Sequence, residues 1–346
     1  MTVLQLGPYP PPHGGVQTNL VAIRQYLRAR GHSCPVINLT RSRRPDADEV
    51  YYPKTALAVL RLLFRLRYDL LHLHIGGFPP FRLLALALLC AVIPGRRAVL
   101  TFHSGGYPQS PEGRAASSRT FRGFVFRRFD RIIAVNAELV NLFHRFGIPR
   151  DRISLIYPHS VAAPPQLPYP HRLKEFLDSH SPFLLTVGGL EPEYDLNLQI
   201  DVLARIRDRF PKAGLVIAGA GSLEASLRQH IQTKPYAEHI LLWGDLPHPI
   251  TLRAIADCDL FVRTTLYDGD SIAVREALGL GVPVIATDNG MRPAGVHLIP
   301  PSDSEALCAA IEDRLLRGRP ERPHPQPDDH NIKAIFELYQ ELISSS

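Results

Sequence analysis

Short continuous apolar runs alternate along this chain with longer stretches in which apolar residues recur every three or four positions. The first pattern belongs to strands buried on both faces, the second to helices that bury one side. Thr2–Gly7 is a run of the first kind and Val16–Arg30 a stretch of the second. Strand 34–38, helix Thr55–Arg67, strand 69–75, helix Pro80–Ile93 and strand 97–103 follow. A basic helix over Gly113–Phe129, strand 131–136, helix Ala137–Phe146 and strand 152–158 complete this half. Residues 162–182 are proline-rich and read as a linker. The alternation then resumes, with strands at 183–189, 213–219, 239–244, 259–263, 282–286 and 296–300. Helices over Leu196–Phe210, Ser222–Gln232, Pro249–Ala256 and Ser304–Leu316 accompany them; 317–330 reads as irregular and Asn331–Ile343 as a final helix. This rhythm predicts an α/β protein with parallel sheets covered by helices on both faces. At 346 residues the chain is long enough for two domains, 1–165 and 166–330.

The richest stretch is Asp268–Asp288, DGDSIAVREALGLGVPVIATD. It opens on an acidic, glycine-containing loop, enters a short helix carrying Glu276, turns at Gly281 and Pro283, and leaves as a strand. With Asp268 in the loop before the helix, both carboxylates reach one cleft at the helix N-terminus. That terminus offers backbone N–H groups, here of Ser271 and Ile272, and a dipole that favours an anion such as a phosphate. A carboxylate accepts hydrogen bonds from the paired hydroxyls of a ribose or hexose ring. An anion cradle flanked by two hydroxyl acceptors is what a nucleotide sugar requires.

Composition narrows the classes. Hydrophobic content of 45% and charge of 21% are ordinary for a globular protein, and the longest apolar window, 83–93, suits a buried helix better than a membrane span. The chain starts directly on a strand, so no secretory signal is expected. Cys34, Cys90, Cys258 and Cys308 are scattered through apolar surroundings without a CxxC pair, as reduced structural thiols of a cytoplasmic protein would be. Charge is unevenly placed: residues 1–165 carry 22 Lys and Arg against 8 Asp and Glu, the remainder 17 against 25. A basic first half suggests a polyanionic neighbour or, more plainly, arginine-rich solvated helices.

Ligands of open α/β sheets lie beyond the carboxyl ends of the strands. Gly14 and Gly15, His103, Gly188 and Gly189, Gly219–Gly221, Gly244–Leu246 and the Asp268–Glu276 segment all fall there, from both halves, which places the expected active site in an interdomain cleft. Gly14–Gly15 serves either a turn or a close backbone approach to a ligand; His103 either a polar contact or a structural hydrogen bond. His72 and His74 share one face of a strand, but no second pair at zinc spacing accompanies them, so no metal is expected. GxSxG, Walker A and kinase signatures are absent.

The order of VLQLGPYPPPHGGVQTNL, DLLHLH, LTFHSGG, IIAVN, VGGLEPE, LVIAGAGSL, CDLFVR and DGDSIAVREALGLGVPVIATD resembles the retaining glycosyltransferases of family 4 over residues 1–316. The resemblance implies the GT-B fold, two Rossmann-like doubly wound domains facing each other across a cleft, with the last helix, 331–346, crossing back onto the first domain. It implies that Glu276 binds the nucleotide ribose and Asp268 the donor sugar hydroxyls. Ser271 and Ile272 would contact the diphosphate, approached from the first domain by Gly14, Gly15 and His103. Backbone near Gly244 and Leu246 would meet the base. Three departures stand out. The first carboxylate is Asp rather than Glu. VGGLEPEYD places Gly189 and Tyr194 where the family carries an arginine and a lysine. The loop NGMRPAGVHLIP is short. Arg292 is the leading candidate for the missing cation, with Arg263 and Arg275 nearby in sequence.

The expected activity is therefore transfer of a sugar from a nucleotide diphosphate sugar to a saccharide or lipid-linked acceptor, with retention and without a cofactor. Arg61, Arg65, Arg67 and the arginines of 114–131 would face an anionic membrane at the inner surface of a bacterial cell. The alternative is a catalytically degenerate GT-B protein that binds nucleotide sugar or glycan as a scaffold. A nucleotide-sugar epimerase or hydrolase of the same fold is a third reading. Nucleic-acid binding is disfavoured, because the basic half has no helix-turn-helix or RNA-binding motif.

Overall fold

The computed structural model describes residues 1–40, 48–158, 164, 166–267, 270–318 and 329–345. Among these the chain forms two compact units, Met1–Ser160 with Asp329–Ser346, and Val161–Asp328.

Unit 1 begins β1 (Val3–Gly7), α1 (Gly15–Ala29), β2 (Val36–Asn38), β3 (Val50–Tyr51), α2 (Ala56–Arg65), β4 (Leu70–Ile75) and α3 (Phe81–Val92). It continues β5 (Arg97–Phe102), α4 (Pro111–Arg114), α5 (Phe121–Phe126), β6 (Arg131–Ala134), α6 (Ala137–Arg145) and β7 (Ile153–Leu155). All seven strands are parallel, in the order β3-β2-β1-β4-β5-β6-β7. The central strand β4 is buried at every position, which is why its sequence LLHLHI lacks polar alternation apart from two histidines.

Unit 2 comprises α7 (His171–Ser179), β8 (Phe183–Val187), α8 (Leu196–Arg209), β9 (Gly214–Ala218), α9 (Glu224–Gln232) and β10 (Ile240–Gly244). α10 (His248–Asp257), β11 (Leu260–Arg263), α11 (Ile272–Gly279), β12 (Val284–Thr287), β13 (His297–Ile299) and α12 (Ser304–Leu316) complete it. Its six strands are also parallel, in the order β10-β9-β8-β11-β12-β13. Both units are Rossmann-like, as the alternation predicts. The last helix, α13 (His330–Ser344), returns to unit 1. Its Ile332, Ile335, Leu338, Tyr339 and Leu342 are buried with Val3, Ile23, Leu27, Leu70, Val99 and Ile133, and Arg131 pairs with Glu341 at 2.7 Å.

The structure departs from the sequence expectation in three places. The basic segment 113–129 is not one helix. Gly113 lies so close to Tyr107 that a Cβ would meet its carbonyl oxygen at 2.0 Å, and Thr120 starts a new helix by accepting from Gly123 N at 3.1 Å. The Arg127 side chain donates to the Ser118 and Phe146 carbonyls at 2.6 and 2.9 Å, which pins the intervening turn. Residues 162–182 include a helix, α7, whose Leu173 and Phe176 pack with Phe183 and Leu185. The two-residue strand β3 has too little pattern to read. Among the described residues no helix is long and apolar enough to cross a membrane.

Candidate active site

The carboxyl edge of the unit 2 sheet is built from interlocking glycine turns. Gly188 N donates to Ala218 O at 3.0 Å and Gly219 N to Gly244 O at 2.7 Å, tying the ends of β8, β9 and β10 together. A Cβ on Gly219 would lie 1.7 Å from Gly188 O, and one on Gly221 2.4 Å from Leu190 O, so this backbone crossing admits only glycine. Gly244 has φ of +100°, again a glycine conformation, and the Leu246 side chain is buried in the core. Glu191 closes the turn after β9 by accepting from Ser222 N at 2.9 Å.

Gly189 and Tyr194, where two cations were expected, belong to a packed group. The Tyr194 ring lies 3.1 Å from where a Gly189 Cβ would be, and the Arg263 guanidinium sits over that ring at 4.5 Å. Arg263, at the end of β11, is only 5% exposed and donates to Val187 O at 2.6 Å. An arginine from a neighbouring strand thus lies beside Gly188. Arg292 is elsewhere on the same edge: it donates to Thr287 O at 3.0 Å and to Thr265 Oγ1 at 3.2 Å, joining the segments after β11 and β12. Arg275 is ion-paired with Asp270.

Helix α11 is capped by Ser271, whose Oγ accepts from Val274 N at 3.4 Å; Ile272 is its first residue. Glu276, one turn further in, is 2% exposed. Its Oε1 receives Nε2 of His248 at 2.7 Å. Burial opposes the charged imidazole, but the hydrogen bond and negative charge of Glu276 outweigh it and hold the His248 pKa above its ordinary value. Asp268, the first of the two expected carboxylates, lies outside the described residues.

Unit 1 presents a different edge. Gly14 caps α1 in an extended conformation, its carbonyl accepting from Thr18 N at 2.9 Å, and Gly15 is the first helical residue. Val16 packs against Gly76, just beyond β4. His103, just beyond β5, donates its backbone N–H to Ile75 O at 2.8 Å, so both features sit at one end of the sheet. A row of imidazoles runs inward from it. His103 Nε2 lies 3.2 Å from His74 Nδ1, and the His74 ring is 4.0 Å from that of His72. His72 is hydrogen-bonded to Tyr339 OH through Nδ1 and to Thr101 Oγ1 at 2.7 Å through Nε2. Burial holds His72 and His103 down to about 3 and His74 well below its usual range, so all three are neutral near pH 7. Both nitrogens of His72 are thus engaged by protein hydroxyls. No cluster of three metal-ligating side chains occurs among the described residues.

Sequence reasoning missed His248, which sits between two prolines and carries no motif. It also missed the Tyr194–Arg263 stack and the Tyr339–His72 bond, which join residues far apart in the chain.

Two Rossmann-like parallel units, with glycine turns and a buried carboxylate at the carboxyl edge of the second, define a protein of the GT-B class. The chain belongs to the family-4 glycosyltransferases: residues 13–159 match Glycosyltransferase Family 4 and residues 171–324 match Glycosyl transferases group 1. It is 26% identical to the phosphatidyl-myo-inositol mannosyltransferase of Mycobacterium leprae, over 88% of this chain and 86% of the relative. It is 22% identical to a subunit of the human phosphatidylinositol N-acetylglucosaminyltransferase, over 96% of this chain and 72% of the relative. Among solved structures, HepE of Anabaena in complex with UDP superposes with a TM-score of 0.67 at 17% identity over the whole of both chains. Sucrose-phosphate synthase of Thermosynechococcus elongatus does so at 0.70 and 16%, also over both whole chains.

Proposed function

We propose that this glycosyltransferase moves a hexose from a nucleoside diphosphate sugar to an acceptor carried on a lipid, with retention of configuration and without a metal ion. The observation that carries the donor half is Glu276: a nearly inaccessible carboxylate at the carboxyl edge of unit 2, in the helix whose N-terminus is formed by Ser271 and Ile272. A carboxylate there accepts the ribose hydroxyls, and the helix N-terminus meets the diphosphate. Arg292 adds positive charge at the same edge, where stabilising the departing diphosphate is the largest catalytic demand. In unit 1, Gly14, Gly15 and neutral His103 serve the sugar end by hydrogen bonding rather than by charge.

The acceptor half is supported by the outer face of unit 1. Phe81, 72% exposed on α3, stacks on Phe121 of α5 at 5.4 Å, and Arg128 covers exposed Phe124 at 4.6 Å. On α2, Leu57 and Phe64 are exposed beside exposed Arg61 and Arg65. Aromatic side chains among arginines suit the headgroup region of an anionic bilayer. Arg127 and Arg131 face inward, on the Phe146 and Asp151 carbonyls, and take no part in that surface. Two relatives with phosphatidylinositol in their names point the same way. The work would be done at the cytoplasmic face of a membrane.

The test is incubation with labelled UDP-, GDP- and ADP-hexoses and anionic vesicles bearing candidate acceptor lipids, followed by lipid extraction and proton NMR of the anomeric linkage. Label in the lipid phase with the donor's anomeric configuration is expected. Label only in water-soluble saccharide would reject the lipid acceptor, and an inverted linkage would reject retention. A second reading, a binder without turnover, is favoured by the engagement of Arg263 and Arg292 with protein groups. It predicts donor binding and no transfer to any acceptor.

A further inference from the structure

The His248–Glu276 pair goes beyond what the sequence implied. Glu276 is buried, and a buried carboxylate is stable only with a partner. Its partner comes from another element, the first residue of α10, held by Pro247 before it and Pro249 after it. The two side chains differ in access: that of His248 is 32% exposed and that of Glu276 is 3%. The imidazole is therefore the solvent-facing member of the pair. Its Nε2 engages Oε1 alone of the two carboxylate oxygens. A carboxylate offers about four lone-pair sites, and a vicinal diol requires two of them at a fixed orientation. An unanchored glutamate rotates about its terminal torsion, which is broad; a 2.7 Å bond from a side chain seated between two prolines removes that freedom.

We propose that His248 is a positioning residue of the nucleotide site: its Nε2–H fixes the Glu276 carboxylate in the orientation that accepts the ribose 2′- and 3′-hydroxyls, and so makes the site selective for ribonucleotides over 2′-deoxyribonucleotides. The inference rests on the reading of Glu276 as the ribose acceptor. The bond needs only a hydrogen on Nε2, which the imidazolium and one neutral tautomer both supply. A glutamine amide reaches to about the same place, so His248→Gln keeps the donor and His248→Ala removes it.

The experiment is calorimetric titration of the full chain with UDP, GDP and ADP, and with the 2′-deoxy analogue of whichever binds, for wild type, His248→Ala and His248→Gln. Thermal melts run beside it confirm that each variant is folded. A hydrogen bond to a charged group is worth about tenfold to a hundredfold in affinity. Wild type and His248→Gln should prefer the ribonucleotide by about that factor, and His248→Ala should lose most of the preference. Preference retained in His248→Ala overturns the inference alone, as does its loss in a folded His248→Gln. A wild type that binds a nucleotide without ribose preference overturns the role of Glu276. A wild type that binds none of the three overturns the donor-site reading and the inference with it.

Discussion

The two sheets are both parallel, but their carboxyl edges are opposite in chemistry. In unit 1 a row of three imidazoles runs inward from the edge at His103, and burial holds all three neutral. Positive charge of that half sits instead on its outer surface, at exposed Arg61, Arg65, Arg82 and Arg128. In unit 2 the edge is ionic: Glu276 with His248, Asp270 with Arg275, and the arginines Arg263 and Arg292. Each unit is built on its own parallel sheet, so the difference lies in the residues placed at the end of each. An edge of neutral donors and acceptors suits sugar hydroxyls; an edge of charges suits a diphosphate and a ribose. Architecture sets where a ligand can lie, and side-chain ionisation sets which chemistry each edge can bind.

The comparison breaks most visibly at the cations. Arg292→Ala should lower kcat by about a hundredfold or more, the scale for removing a group that stabilises developing charge. Donor affinity should change less, because the charge matters most as the diphosphate departs. Steady-state kinetics with varied donor separates the two effects, and unchanged turnover would transfer the role to Arg263, beside Gly188.

A smaller effect is expected from Tyr339→Phe. It removes the hydroxyl that meets His72 Nδ1 and leaves a buried nitrogen without its partner. Such an orphan costs about 1–3 kcal/mol, to be read from denaturant unfolding. An unfolding midpoint equal to wild type would mean that the imidazole row is not anchored by α13.

The most discriminating effect is the pH dependence of stability. His72 and His103 have folded pKa values near 3, below the ordinary 6.5. Between those limits the unfolded chain binds protons that the folded one refuses, so stability falls as pH drops from about 6.5 towards 3. His248 is shifted the other way. Its contribution is complete below 6.5 and is lost as pH rises through the raised folded value. Thermal melts across pH should therefore show an acid-side loss that survives in His248→Gln and a weaker alkaline-side loss that does not. An alkaline limb unchanged in His248→Gln would assign it to another group.

Much of this was legible beforehand because buried parallel strands write themselves as apolar runs. β1, β4, β5, β8, β9 and β11 could each be read that way, and the helix–turn–strand form of residues 271–288 followed from their glycines and proline. Breaks set by tertiary contact were not legible. Nothing local tells that Gly113 lies against Tyr107, or that residues 171–179 bury Leu173 and Phe176 rather than run on as a linker. Pairings across elements were silent for the same reason. His248 meets Glu276 across 28 positions and His72 meets Tyr339 across 267, and neither leaves a periodic trace. Tyr194 looked like a lost lysine; in the fold it is the surface on which Arg263 lies.

The most direct test is nucleotide binding by wild type, Glu276→Ala and His103→Ala, measured by calorimetry with UDP, GDP and ADP. One nucleotide should bind the wild type, lose about a hundredfold in affinity or more in Glu276→Ala, and bind His103→Ala nearly as well as wild type, as the proposed place of that histidine at the sugar end requires. Glu276→Ala binding the nucleotide as tightly as wild type would contradict the assignment of the ionic edge to the donor.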